Sequence, residues 1–241
     1  MNVEKLLDDF VTRLRAGAGG NLESIILYGS AAAGDFRADH SDLNLFCVLR
    51  EASFAALQAI APVANWWNKL KQPAPLIMTA AEMERAADVF AIEWLDMREH
   101  HRVLHGADVL VNLQIPMRLH RFQVEYELRE KLVLLRQAFL QAGNNSKKLW
   151  DVIARAAPSF SVLFRHALIA LGETPPAEKT EVARSLAKRM GFDLAPVIEV
   201  ADFRQRAARP VDSDIKRLCS QYLAAIAQVT AAVDRMMDSQ P

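Results

Sequence analysis

The amino-acid sequence predicts an α+β protein in which a domain of strands and helices is followed by an all-α helical bundle. Before about Pro116, short apolar runs alternate with helical stretches. After it, nearly every apolar residue recurs at helical spacing. We therefore expect two domains, one over residues 1–112 and the other over residues 113–241.

The first half opens with a helix over residues 3–16, whose apolar positions share one face. Glycines at 17, 19 and 20 end this helix, because glycine favours turns over helix interiors. Four short apolar runs then predict strands, at 24–28, 43–49, 75–79 and 102–105. A further helix over about 52–71 lies between the second strand and the third.

The second half contains apolar stripes with steps of three and four residues, which predict four or five helices that each bury one face. The clearest stripes lie at 128–139, 153–171 and 215–233. Gly143, Gly172 and Gly191 fall where helix C-termini are expected. Pro158 is expected to kink or divide the middle helix.

Composition indicates a protein with a substantial core, since 51% of the 241 residues are hydrophobic and 24% are charged. No apolar run approaches the roughly 18 residues of a membrane span, and the acidic start MNVEKLLDDF does not resemble a secretory signal. We therefore expect a cytoplasmic protein with no membrane partner. Cys47 and Cys219 lie in apolar periodic segments, which predicts buried thiols.

Charge is unevenly divided between the halves. Residues 1–115 carry 10 Lys and Arg against 15 Asp and Glu, whereas residues 116–241 carry 19 against 14. The resulting net charges are −5 and +5. A charge of +5 is far from the basic signature of a nucleic-acid-binding domain, so nucleic acid is not an expected partner.

The residues that carry chemistry lie between Leu27 and Leu49. A strand ends at Gly29-Ser30, where glycine allows a tight turn and close approach to a ligand. A helix starting there would offer the Ser30 hydroxyl and backbone N–H groups to an anion such as phosphate. Asp42 and Asn44 would project from one face of the next strand, beside that turn. Oxygen ligands near a phosphate-binding turn are typical of magnesium–nucleotide chemistry.

This arrangement resembles the nucleotidyltransferases of the DNA polymerase β superfamily, with the aminoglycoside nucleotidyltransferases as the nearest branch. The family motif is an apolar residue, Gly and Ser, then Asp-apolar-Asp/Glu-apolar. It is matched here by Tyr28–Ser30 and Ser41–Leu45, with Gly34 also in place. The resemblance covers about residues 20–110. It implies a mixed sheet with flanking helices, followed by an all-α bundle, with a nucleoside triphosphate such as ATP and Mg²⁺ in a cleft facing the helical domain.

The sequence departs from the family motif at two places. Asn44 replaces the second acid, and the strand at 75–79, where a third acid is expected, contains no carboxylate. The resemblance therefore implies Gly29 and Ser30 as nucleotide-binding residues and Asp42 and Asn44 as ligands of a single Mg²⁺. It leaves open whether the protein is an enzyme.

Three functions remain open at this point. The first is transfer of a nucleotidyl group from a nucleoside triphosphate to an unidentified hydroxyl acceptor. The second is non-catalytic nucleotide binding by a sensor or scaffold. The third is partner binding by a fold that has lost the ligand. A polycationic aminoglycoside acceptor is disfavoured by the +5 charge of the helical half, and an oligomer is compatible with the sequence.

The segment Glu93–Gly106 holds further candidates for the site. Asp96 and Glu99 are the acids nearest in sequence that could replace a lost catalytic carboxylate. His101 and His105 could share one strand face and bind a metal, although cleft-edge or packing roles are the more common use of such residues.

Aromatic and basic residues offer two more candidates. Trp66 and Trp67 could stack on a base or sugar, or could pack in the core. Arg118, Arg121 and Arg129 lie near the domain junction and could face a triphosphate.

Overall fold

A computed structural model of the protein describes residues 2–32 and 42–238, except for the side chains of 236–238. The chain divides into two compact units, Met1–Met117 and Arg118–Pro241. The sequence-based boundary at 112/113 falls a few residues before this division. We describe each unit by itself.

The N-terminal unit contains the predicted strands and helices together with two short helices that the sequence analysis missed. In chain order its elements are α1 (Val3–Ala18), β1 (Leu22–Tyr28), β2 (Asn44–Leu49), α2 (Phe54–Lys69), β3 (Leu76–Thr79), α3 (Ala80–Arg85), α4 (Ala91–Glu99) and β4 (His101–Gly106). Helix α3 starts with a capping box in which Thr79 and Glu82 bond each other's backbone N–H.

The four strands form one mixed sheet in the order β3-β2-β1-β4 within the part of the chain that the structure describes. Strand β1 pairs antiparallel with both β2 and β4, and β2 pairs parallel with β3. The pairing with β4 is irregular, because Ile25 pairs with His105 whereas Ile26 pairs with Val103. Leu104 is thus an extra residue in β4, as in a β-bulge. The α+β class predicted from the sequence is confirmed.

Each side of the sheet carries its own buried cluster. We call the side covered by α1 and α2 the α1 face and the opposite side the α4 face. The α1 face includes residues such as Phe10, Leu43, Leu45, Cys47 and Trp67. The α4 face includes residues such as Ile26, Phe46, Val48, Trp94 and Leu110. Alternate residues of β2 therefore enter opposite cores, which puts Asn44 on the α4 face.

The C-terminal unit is helical throughout the residues described. Its helices are α5 (His120–Ala142), α6 (Ser146–Ala170), α7 (Lys179–Met190), α8 (Ala195–Gln205) and α9 (Asp212–Asp238). Gly143 and Gly191 cap α5 and α7, and Gly172 follows α6, all with positive φ. These glycines confirm the predicted helix ends.

Pro158 does not divide the middle helix. Helix α6 continues through it from Ser146 to Ala170, so a divided helix was a wrong expectation, and a kink at Pro158 stays a prediction. Continued packing on both sides of the proline explains this, since Ala157 and Phe160 are both buried.

Helix α6 is the one described helix that is long and apolar enough to cross a membrane by length and composition. It is not an uninterrupted apolar run of that length, because Asp151, Arg155 and Arg165 lie within it. The helix also packs on α5, α7, α8 and α9, as a core helix of a bundle does. Core helices pass the same compositional test, so the finding is weak evidence for a membrane span.

Both cysteines are buried, as predicted. Burial raises the pKa of the Cys47 thiol to about 12 and that of Cys219 to about 11. Since the thiolate is the reactive form, both thiols are poor nucleophiles at neutral pH.

Candidate functional site

The turn after β1 is a single 3₁₀ turn over Gly29–Ala31. The Gly29 N–H donates to the His100 carbonyl at 3.2 Å, and the Ala32 N–H donates to the Gly29 carbonyl at 3.0 Å. Backbone bonds on both sides therefore hold Gly29 in place. The helix expected to start at Ser30 is described only as this 3₁₀ turn, because residues 33–41, with Gly34 and Ser41, lie outside the described residues.

Gly29 adopts φ +78°, a conformation that side-chain-bearing residues rarely adopt. A Cβ at this position would lie 3.4 Å from the Asn44 side-chain nitrogen, Nδ2. Asn44 begins β2 and pairs with Tyr28, the last residue of β1. The structure thus brings the Asn44 amide directly beside the Gly29 turn.

The start of β2 is held by a buried polar contact. Leu43 and Leu45 are buried in the α1-face cluster, which confirms the predicted alternation of this segment. The Leu43 N–H donates to the Gln72 carbonyl oxygen, Oε1, at 2.8 Å, and Gln72 is itself buried. Asp42 precedes the paired strand and is exposed. Its carboxylate is therefore open to solvent.

Ser30 lies in the 3₁₀ turn and is exposed. Its hydroxyl makes no hydrogen bond with any residue that the structure describes. A ligand can thus reach the hydroxyl without displacing a partner within this part of the chain.

The described residues contain no group of three or more His, Cys, Asp or Glu side chains that could hold a metal ion. Strand β3 carries no carboxylate, and its pairing with β2 starts at Phe46, past Asn44. Asp42 and Asn44 offer a carboxylate and an amide oxygen. Such a set fits one Mg²⁺ that also binds phosphate oxygens and water, and does not fit a pair of ions.

A polar row crosses the sheet at the level of the turn. Asn44 pairs with Tyr28, and Tyr28 pairs with His101 of β4. Burial raises the pKa of the half-buried Tyr28 hydroxyl, which therefore stays protonated. His101 continues the row toward Asp108, whose carboxylate oxygen, Oδ2, lies 2.9 Å from the ring nitrogen Nε2.

Asp108 is held as a carboxylate. Burial opposes its ionisation, but hydrogen bonds from His101 and from the Leu110 N–H outweigh this and hold the pKa below its usual range. The second ring nitrogen of His101, Nδ1, lies 3.1 Å from the Arg98 carbonyl oxygen. Both nitrogens of the ring therefore have partners.

His101 and His105 do not share a strand face. The bulge at Leu104 pairs His105 with Ile25, which faces the α1-face cluster. His101 pairs with Tyr28, which packs against the α4-face cluster. The expectation of a shared face was wrong because one inserted residue shifts the alternation.

The end of α4 lies next to the Gly29 turn, because His100 follows the helix and accepts the Gly29 N–H. Asp96 is half-buried and Glu99 is exposed, and each makes interactions. The Asp96 carbonyl accepts the His100 N–H at 3.1 Å. The acids at this helix end are therefore close along the chain to His100, which contacts the turn.

The tryptophan pair is mainly structural. Trp67 is fully buried, and its ring lies 4.8 Å from that of Phe10. Trp66 is half-buried, with the Arg13 guanidinium 4.4 Å from its ring. Trp67 is thus closed to an incoming base.

Two of the three junction arginines are occupied within the C-terminal unit. Arg129 contacts Glu125 at 2.6 Å and Asp234 at 2.8 Å. Arg121 donates to the Ala170 carbonyl at 3.2 Å, and Arg118 also makes interactions.

A separate groove of about 420 Å³ lies between α1 and β4. Its lining includes Glu4, Asp8 and Arg102, and none of the four predicted site residues. The groove is therefore distinct from the Gly29 turn.

Similarities to known proteins come from a family model and from solved structures. Residues 3–101 match the family model described as "Nucleotidyltransferase domain". The solved structure of spectinomycin adenyltransferase AAD(9) from Enterococcus faecialis with ATP and spectinomycin aligns over 95% of this chain and 99% of that chain. Its sequence identity is 13% and its TM-score is 0.46. No curated protein sequence matches the chain.

Proposed function

We propose, on the premise that residues 3–101 are a nucleotidyltransferase domain, that this protein binds a nucleoside triphosphate at the Gly29–Ser30 turn beside Asp42 and Asn44. The observation that carries the proposal is the 3.4 Å approach of the Asn44 amide to the Cβ position of Gly29. Two elements separated along the chain thereby form one polar surface at the end of the sheet.

Each residue of the proposed site has a distinct task. Gly29 lets a phosphate approach the backbone, and the exposed Ser30 hydroxyl donates to a phosphate oxygen. Asp42 ligates the Mg²⁺ that arrives with the nucleotide, while Asn44 presents an amide to the ion or to phosphate. The ion supplies neutralisation of phosphate charge when it is bound.

For a transferase, the acceptor hydroxyl would attack the α-phosphorus and pyrophosphate would leave. Such a reaction depends mainly on positioning and charge neutralisation. Strand β3 carries no carboxylate that could serve as the base. We propose Asp96 and Glu99 as candidates, since α4 ends next to the residue that holds Gly29. Unchanged transfer in Asp96→Ala and Glu99→Ala would remove both.

Non-catalytic nucleotide binding is the second candidate function. Asn44 stands where the family motif has an acid, and β3 offers no replacement. Among the described residues the site offers one carboxylate, which compensates two Mg²⁺ ions poorly and favours binding over the usual two-metal transfer.

Calorimetric titration tests nucleotide binding. ATP, GTP, CTP and UTP are titrated separately into the protein, with and without Mg²⁺. We expect binding of at least one nucleotide, weakened by Asn44→Ala and by Ser30→Ala. The matched control is Asn144→Ala, an exposed asparagine of the C-terminal unit. Absence of binding under all conditions would overturn the proposal and leave partner binding.

The charge at position 44 gives a second test. Asn44→Asp restores the family acid, so we expect tighter Mg²⁺-dependent nucleotide binding. Pyrophosphate release with candidate hydroxyl acceptors then separates the two functions: release by the unmodified protein supports transfer, and its absence despite binding supports the non-catalytic function. An unchanged metal dependence in Asn44→Asp would show that position 44 does not face the ion.

A further inference from the structure

The His101 ring lies between two groups that accept hydrogen bonds. Nδ1 lies 3.1 Å from the Arg98 carbonyl oxygen, and Nε2 lies 2.9 Å from Asp108 Oδ2. A carbonyl oxygen only accepts, and an ionised carboxylate only accepts. The ring therefore bridges two acceptors, each within hydrogen-bond distance of one ring nitrogen.

The contact with Arg98 places this ring at the C-terminus of α4. Arg98 belongs to the last turn of the helix, where backbone carbonyls have no partner within the helix. A histidine ring nitrogen near the end of a helix can donate to such a carbonyl and cap it. Asp108 is fixed in turn by the Leu110 N–H, which donates to its Oδ1 at 3.1 Å. The ring thus joins α4, β4 and the loop after β4.

The residue just before this ring holds the proposed nucleotide-binding turn. His100 accepts the Gly29 N–H at 3.2 Å and donates its own N–H to the Asp96 carbonyl at 3.1 Å. His101 pairs across the sheet with Tyr28, the residue before Gly29. The direction of the His100 carbonyl therefore depends on how the chain passes from α4 into β4, which is the point that the His101 ring fixes.

We propose that His101, held by Asp108 and by the end of α4, is a positioning residue for the Gly29 turn and thereby for nucleotide binding. The inference rests on the proposed function for its second part only. The first part, control of the turn by the ring, concerns the protein without nucleotide. His101 acts through His100 and Gly29 and does not itself contact the phosphate.

The test compares His101→Gln and Asp108→Asn with His105→Gln in the whole 241-residue chain. His105 is a half-buried histidine of the same strand whose pairing sets it toward the opposite sheet face, so its substitution is a matched control. Hydrogen exchange of the Gly29 amide, followed by NMR without nucleotide, reports the turn. ATP affinity is measured by calorimetry at one temperature at which all the variants are fully folded.

We expect His101→Gln and Asp108→Asn each to speed Gly29 amide exchange by about tenfold, the order of effect of losing roughly one hydrogen bond. ATP affinity should fall by a similar factor, and the double variant should lose little more than either single one. His105→Gln should change neither measurement.

Unchanged Gly29 exchange in either folded variant, or an equal change in His105→Gln, would overturn the positioning role. If His101→Gln does not fold, Asp108→Asn decides the question, because it keeps the ring and alters one partner. If the unmodified protein binds no nucleotide, the proposed function fails while the exchange data still judge the link between the ring and the turn.

Discussion

Replacement of Gly29 by alanine tests separately how this glycine affects the stability of the protein and how it affects nucleotide binding. With φ at +78°, alanine costs roughly 1–2 kcal/mol. Alanine also restricts the unfolded chain more than glycine does, which offsets about 0.4–1 kcal/mol of this cost. The added Cβ meets the Asn44 Nδ2 at 3.4 Å, which is an ordinary van der Waals contact. The free energy of unfolding should therefore fall by only about 1 kcal/mol.

Nucleotide affinity should fall clearly even though the protein loses little stability. The new methyl group lies between the turn and the Asn44 amide, where the proposed phosphate approaches. We expect ATP affinity to weaken at least about tenfold, or ~1.4 kcal/mol. Gly143→Ala is the matched control, since that glycine has φ +56° at a helix end with no atom within 4 Å of its Cβ position.

Urea denaturation followed by circular dichroism gives the stability, and calorimetry with ATP and Mg²⁺ gives the affinity. The control should lose similar stability and keep its affinity. Gly29→Ala and Asn44→Ala should be non-additive in affinity, because both disturb one contact. Equal affinities for Gly29→Ala and Gly143→Ala, or fully additive effects with Asn44→Ala, would refute the reasoning.

Three further predictions concern stability and are checked by denaturant unfolding. Gln72→Ala should lower the free energy of unfolding by roughly 1–3 kcal/mol, because the Leu43 N–H loses its buried acceptor; an unchanged value would mean that another group takes over. Tyr222→Phe should raise it by up to about 1 kcal/mol, because its buried hydroxyl has no hydrogen-bond partner among the described residues; a clear loss would reveal a hidden partner. Asp108 has a lowered pKa in the folded protein, so its carboxylate stabilises the fold above about pH 4, and this stabilisation is lost as the pH falls through the lowered pKa. The unmodified protein should therefore be more stable than Asp108→Asn above about pH 4, and the difference should disappear in acid. A difference that grows in acid would contradict the assigned direction.

Local sequence patterns predicted the parts of the fold in which buried and exposed residues alternate regularly along the chain. Leu43 and Leu45 alternate with polar neighbours, and this alternation was enough to assign the inward and outward positions of the strand. Gly29 was identified because a tight turn after a strand favours glycine. The contact between Gly29 and Asn44 follows from these two assignments once the strands pair.

Other parts of the site depend on distant residues and leave no local signal. Gln72 holds the Leu43 N–H from 29 residues away, and a single glutamine in a loop does not indicate such a role. The bulge at Leu104 separates His101 from His105 through pairing with β1, which the sequence of β4 alone does not specify. Helix α4 was missed because its buried residues do not form one clean stripe.

Each unit builds its core from a consecutive stretch of chain, since every described strand ends at or before Gly106 and the bundle helices follow Arg118. Calorimetric or denaturant curves of such a chain need not follow a single transition. The four tryptophans are divided three to one, with Trp66, Trp67 and Trp94 in the first stretch and Trp150 in the second. In Trp150→Phe, tryptophan fluorescence would report the melting of the first stretch alone, so the effects of site variants could be measured free of signal from the bundle.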